Sequence, residues 1–218
     1  MNSCSAPTPT VVLISGRGSN LDAIVRAAIP GLDIRAVISN RPDAGGLALA
    51  RDHGLHAEVV DASGFATREA FDTALDRAVD AFSPRLVVLA GFMRILAADF
   101  VRKHAGRMLN IHPSLLPAFT GLATHRRAIA AGVRLHGATV HFVTPELDAG
   151  PIVIQAAVPV VPDDDESTLA ARVLAQEHRI YPQAVRWFVA GRLSLQDGRV
   201  CLSGVTAPEG GFICPQPE

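Results

Sequence analysis

The apolar positions of this chain fall into short runs separated by helical patterns. Val11–Ser15 is an unbroken, β-branched run that predicts a strand buried on both faces. A glycine turn at Gly16–Gly18 follows, then a helical pattern over Asn20–Ile29 stopped by Pro30-Gly31. Ile34–Ser39 reads as a second strand, Gly46–His53 as a helix closed by Gly54, and His56–Val60 as a third strand. Thr67 can cap a helix to about Phe82, because Phe71, Leu75, Val79 and Phe82 recur at three- and four-residue spacing. Arg85–Ala90 and Met108–His112 bring the strands to five. The alternation predicts an α/β fold: a Rossmann-like, doubly wound, mostly parallel sheet with helices on both faces.

The second half is less regular. Pro113–Thr124 is a loop punctuated by Pro and Gly, with a short helix after it to about Ala131. Leu135–Val143 and Pro151–Val160 read as strands. Ser167 is expected to cap a helix that passes an irregularity at Pro182 and ends at Ala190, before Gly191. Leu193–Gln196 and Val200–Leu202 flank Asp197-Gly198, a pair suited to a type I′ hairpin turn. Residues 10–205 are expected to form one domain, between a flexible N-terminus (1–9) and a loosely ordered tail (206–218).

Composition narrows the function. With 49% hydrophobic and 19% charged residues among 218, the chain can bury a core. A net charge of −1 lacks the basic footprint of a nucleic-acid binder. Leu86–Met93, the longest apolar stretch, is far short of the roughly 20 residues that span a membrane. The first ten residues do not follow the pattern of a signal peptide. Cys4, Cys201 and Cys214 are scattered and odd in number, which suits a cytoplasmic setting and neither a disulfide framework nor a zinc site. Lys103 is the only lysine and has no glycine-rich loop beside it, so Schiff-base and P-loop chemistry are not expected.

Three segments hold candidate chemistry. The first, Ser15–Leu21, joins the first strand to the first helix; glycines there admit an anion to backbone N–H groups at a helix N-terminus. Leu21 stands where a dinucleotide fingerprint wants a third glycine, which leaves a site for one phosphate monoester at Gly18, Ser19 and Asn20, or else a tight turn with an Asn cap. In the second, Asn110 and His112 are two apart at a strand's carboxyl end and share a face. An amide beside an imidazole suits oxyanion stabilisation and proton transfer, or simply caps a loop. The third, Thr144–Pro151, is an acidic loop that can bring a carboxylate to His112 and keep the imidazole charged, or else a solvated turn. His136 and His141 differ by an odd number and cannot share a metal from one strand, while His53 and His104 sit near helix C-termini. No metal is expected, and the run Asp163–Glu166 is read as complementing the positive end of the helix that follows.

In this order the segments VVLISGRGSNL (11–21), VVLAGFMRIL (87–96), LNIHPSLLP (109–117), HGATVHFVTPELDAGPI (136–152) and QEHRIYP (176–182) resemble the phosphoribosylglycinamide formyltransferases, folate-dependent transformylases of purine biosynthesis. The resemblance covers about residues 10–195 and implies the formyltransferase version of the fold. It implies that Asn110, His112 and Asp148 are catalytic and that Gly18, Ser19, Asn20 and Glu177 hold the substrate's phosphate and ribose. It further implies that 10-formyltetrahydrofolate, the co-substrate, lies against Arg68, Met93, Arg94, Ile95, Leu96, Asn110, Thr144, Pro145, Glu146, Leu147 and Asp148. Partners are then small molecules only, and the chain a monomer or homodimer. Ala118-Phe119-Thr120 and Ala123 depart from the family's loop pattern, and Leu174 stands where some relatives carry a polar residue. The hydrolase of formyltetrahydrofolate shares the triad and is the alternative; it typically carries an N-terminal regulatory domain. A tRNA formyltransferase would need an extra RNA-binding domain and a basic surface.

Overall fold

β1 (Thr8–Ile14) shows why its apolar run is unbroken: Val12 and Ile14 enter one core, Val11 and Leu13 the other, and all four are fully buried. In the computed structural model, which describes residues 6–204 and Cys214, this strand lies inside a seven-stranded sheet. The others are β2 (Leu32–Ser39), β3 (Ala57–Val59), β4 (Leu86–Leu89), β5 (Met108–His112), β6 (Leu135–Phe142) and β7 (Ile152–Pro159). Their spatial order is β3-β2-β1-β4-β5-β6-β7. The first five pair in parallel; β6 and β7 run antiparallel to their neighbours.

Helices α1 (Ser19–Arg26), α2 (Gly45–Asp52), α5 (Thr124–Ala130) and α6 (Glu166–Val189) cover the Val12 face. Helices α3 (Arg68–Asp80) and α4 (Ala98–Lys103) cover the other, with Phe71, Leu75 and Val79 inward as their spacing predicts. Thr67 caps α3, accepting from the Ala70 N–H. His53 and His104 are the C-caps of α2 and α4. β8 (Leu193–Gln196) and β9 (Arg199–Leu202) form the expected hairpin, with Asp197 and Gly198 both at positive φ.

Several details differ from expectation. β1 begins at Thr8, whose N–H donates to the Gly31 carbonyl at 2.7 Å, so Thr8 and Pro9 belong to the sheet rather than to a flexible terminus. Residues 1–5 lie outside the described residues, as does the expected tail apart from Cys214. The cap of α6 is Asp165, not Ser167: its carboxylate accepts from Thr168 N–H while the Thr168 hydroxyl accepts from Asp165 N–H, a reciprocal box that a serine two residues later cannot make. Asp164 pairs with Arg172, which holds its carboxyl well below the usual range, and Arg172 also donates to Pro159 at the end of β7. The acidic run therefore ties α6 to the sheet as well as capping it. α6 runs through Pro182 without a break.

Candidate active site

The turn between β1 and α1 is built on a close approach of two backbones. Gly18, the cap of α1, has φ +82°, and a Cβ there would stand 2.6 Å from Gly46 Cα. Gly46, at the start of α2, donates to the Gly16 carbonyl at 3.0 Å. Gly18 rather than an asparagine caps the helix, which leaves Asn20 free to turn inward. The Asn20 amide donates to Glu177 of α6 at 2.7 Å, and its Oδ1 is buried with no hydrogen-bond partner among the described residues. Burial pushes the Glu177 carboxyl up from its usual range, with Asn20 and His178 pulling it back. Ser19 opens onto a groove of about 480 Å³ between α1 and α6, lined also by Arg26, His178 and Arg186. The first candidate segment thus joins Ser19 and Asn20 to Glu177, 157 residues from Asn20 in sequence.

Asn110 and His112 share a face of β5, and Asp148 reaches them from the loop after β6. His112 Nδ1 lies 3.5 Å from Asp148 Oδ2, and both side chains are buried. His112 Nε2 lies 3.0 Å from the Phe119 carbonyl oxygen. Asp148 Oδ2 also accepts from the Gly121 N–H at 2.8 Å, which ties this loop to the 113–124 loop. The path of the acidic loop differs from a simple meeting of loops at one sheet edge. Because β6 is antiparallel, Val143 leaves the sheet beside Met108, the first residue of β5, donating to its carbonyl at 3.0 Å. The chain then returns along the face, and Asp148 completes the approach at φ +52°, a left-handed conformation that Asp tolerates better than most residues.

The remaining expected contacts lie on the 91–97 segment, on Arg68 of α3 and on the acidic loop itself. Ser15, at the end of β1, donates to Asn40 Oδ1 at 2.5 Å and accepts from Met93 N–H at 2.8 Å, fixing where the 91–97 segment starts. Met93 is 69% exposed and Ile95 58%, with Leu147 of the acidic loop exposed too. Arg68 donates to the Ile95 carbonyl at 2.8 Å, and Arg94 lies over the Phe71 ring. Arg94 also faces a cleft of about 450 Å³ lined by Asn40, Arg41, Asp61 and Ser63. Thr144 donates to the Glu146 carbonyl and shapes the acidic loop, where Pro145 and Glu146 are exposed. Leu96 differs from its neighbours: its side chain is buried in the α3/α4 core and holds the segment in place. Exposed apolar side chains beside two arginines suit a flat ligand with an acidic tail, the form of a folate.

One functional neighbour escaped the sequence. His141 of β6 stands opposite Asn110 in the antiparallel register, with Nε2 3.2 Å from Asn110 Nδ2. Periodicity shows that it faces away from His136, but only the pairing of β5 with β6 shows its partner. His136 packs on the other side, 3.2 Å from His125. Among the described residues, the group of three side chains with metal-ligand spacing is Asp76, Asp80 and His104, on α3 and α4. Lys103 donates to both of those carboxylates.

Comparison with known proteins adds to this geometry. The chain matches the family described as formyl transferase over residues 9–185, a span holding Gly18–Asn20, Asn110, His112, Asp148 and Glu177. It is 51% identical to the phosphoribosylglycinamide formyltransferase of Escherichia coli (strain K12) over 210 residues, 94% of this chain and 99% of that protein. The crystal structure of glycinamide ribonucleotide transformylase 1 from Symbiobacterium toebii superposes with a TM-score of 0.87 at 46% identity, covering 90% of this chain and 94% of that one. A formyltetrahydrofolate deformylase from Pseudomonas syringae pv. tomato is similar at 29% identity and a TM-score of 0.83, covering 90% of this chain and 66% of that one. With sheet, turn and the Asn110–His112–Asp148 group all inside the matched span, the chain belongs to the formyl transferase family.

Proposed function

We infer that this chain, as one domain over residues 10–205, transfers the formyl group of 10-formyltetrahydrofolate to the amine of N1-(5-phospho-β-D-ribosyl)glycinamide. The products are the N-formyl ribonucleotide and tetrahydrofolate, a step of purine biosynthesis carried out in the cytoplasm. The observation that carries this reading is His112 with Asp148 on one ring nitrogen and the Asn110 amide on the same strand face. The phosphate turn and Glu177 add the reason for this acceptor over water. Gly18, Ser19 and Asn20 hold the phosphate at the start of α1, and Glu177 the ribose.

The substrate amine attacks the formyl carbon, and the carbonyl oxygen takes up negative charge. An Asn110 N–H and the charged His112 ring stabilise that oxygen. Asp148 orients the ring and assists the proton on its way from the attacking nitrogen to the folate nitrogen that leaves. Met93, Ile95 and Leu147 cover the pterin side, and Arg68 and Arg94 meet the acidic tail. The test is an assay of purified protein with both substrates, followed through both products. Tetrahydrofolate that appears at the same rate without the ribonucleotide would favour the hydrolase reading, which the similarity to the deformylase supports.

A further inference from the structure

His141 has two partners, and together they settle how its protons are arranged. Its Nδ1 lies 2.9 Å from the Phe142 carbonyl oxygen. A carbonyl only accepts, so Nδ1 carries the hydrogen, and Nε2 of the neutral ring keeps a lone pair. The Asn110 group 3.2 Å from Nε2 must then be the NH₂ and not the carbonyl. One N–H of Asn110 is used by the ring and one remains.

We propose that His141 is a positioning residue: as its Nδ1–H tautomer it holds the Asn110 amide so that the second N–H serves the formyl oxygen as charge develops there. The proposal rests on the oxyanion role inferred above for Asn110. The two ends of an amide are alike in shape, so an Asn110 without this acceptor can turn over and present Oδ1 instead. A charged His141 would demand the turned-over form, since Nε2–H needs an acceptor. The Phe142 carbonyl on its own strand bonds the ring, and two titratable groups act on it by charge, His112 on β5 and Asp148 on the loop after β6. Burial and His112 oppose the charged ring while Asp148 and the Phe142 carbonyl favour it; burial is the largest effect, so the ring titrates below its ordinary range. At neutral pH the neutral ring prevails, and acidification turns Asn110 away.

The test uses the full chain with both substrates, and imidazole ¹⁵N NMR as a readout apart from activity. His141→Leu should lower kcat about 10²-fold, the scale of losing one oxyanion donor, with both KM values within about threefold. His141→Gln, whose Oε1 can accept near the place of Nε2, should recover most of that loss and show a shallower fall of kcat on acidification. In an Asn110→Ala background, His141→Leu should cost nothing further, because its whole effect passes through Asn110. The NMR of the unsubstituted protein should show Nδ1 protonated and Nε2 bare at neutral pH. A kcat kept within twofold in His141→Leu, additive losses in the double variant, or a protonated Nε2 would each overturn the proposal. Should His141→Leu fail to fold, the Gln variant and the tautomer decide it. An unsubstituted chain that makes no formyl product defeats the functional reading, and the tautomer is still measured independently.

Discussion

His112 stands with an oxygen beside each ring nitrogen, the Phe119 carbonyl on one side and Asp148 on the other. A ring with a hydrogen on both nitrogens satisfies both, and a developing oxyanion receives the Nε2–H by taking the place of the Phe119 carbonyl. His112→Ala removes that donor and should lower kcat by about 10²–10⁴-fold. Asp148→Asn keeps the shape and the tie to Gly121 but loses the charge, so kcat should fall with both KM values largely kept. Steady-state kinetics with each substrate varied in turn checks this; an unchanged kcat in Asp148→Asn would uncouple the pair. Glu177 makes a different prediction. Its carboxyl is raised in the folded state, so its contribution to stability is full below the unfolded value of 4.5 and is lost as pH rises through the higher folded value. Above that window the buried carboxyl weighs against the folded state. Glu177→Gln should therefore raise the thermal midpoint at pH 7. The gain should shrink towards pH 4, while KM for the ribonucleotide rises. A lower midpoint at both pH values would refute it.

At the scale of elements, the β1–α1 turn depends on a residue outside it. A Cβ on Gly46 would lie 2.7 Å from Ile14 Cδ1 and 3.0 Å from Gly18 Cα. Gly46→Ala should cost about 1–3 kcal/mol through this overpacking and raise KM for the ribonucleotide more than for the folate. Denaturant unfolding and two KM values measure both; a shift in the folate KM alone would place the phosphate elsewhere. Strands and helices are legible wherever one period rules: β1 and β4 from unbroken apolar runs, α3 from its spaced Phe71, Leu75 and Val79. What periodicity does not encode is pairing between distant segments. The approach of Gly46 to Gly18, the bond from Asn20 to Glu177 and the facing of Asn110 and His141 all depend on which strands and helices become neighbours. The cap of α6 was misread for a similar reason. Asp165 and Ser167 are both good caps locally, and the reciprocal bond with Thr168 decides between them.

Across the whole molecule, α6 connects the two halves of the candidate site. It packs on α1, α5, β5, β6 and β7. Glu177 meets Asn20 on the phosphate side. One turn further on, the buried Tyr181 hydroxyl shares its proton between the carbonyls of Leu89 and Leu109, at 2.9 and 3.0 Å. Leu109 adjoins Asn110, so one helix fixes both Glu177, which we propose meets the ribose, and the strand that carries Asn110 and His112. The two anchors are four residues apart, about 6 Å along the axis. On the function proposed above, α6 would act as a length gauge, measuring the acceptor from phosphate to amine. An acceptor with one methylene added between ribose and amine should still dock its phosphate. Its amine would overshoot the formyl carbon, so kcat should drop well over tenfold while KM changes little. Comparing the two acceptors under single-turnover conditions reads this directly, and equal rates would mean that the gauge has slack. On that proposal the same gauge would let a chain whose Met93, Ile95 and Leu147 stand open to solvent select its acceptor by distance.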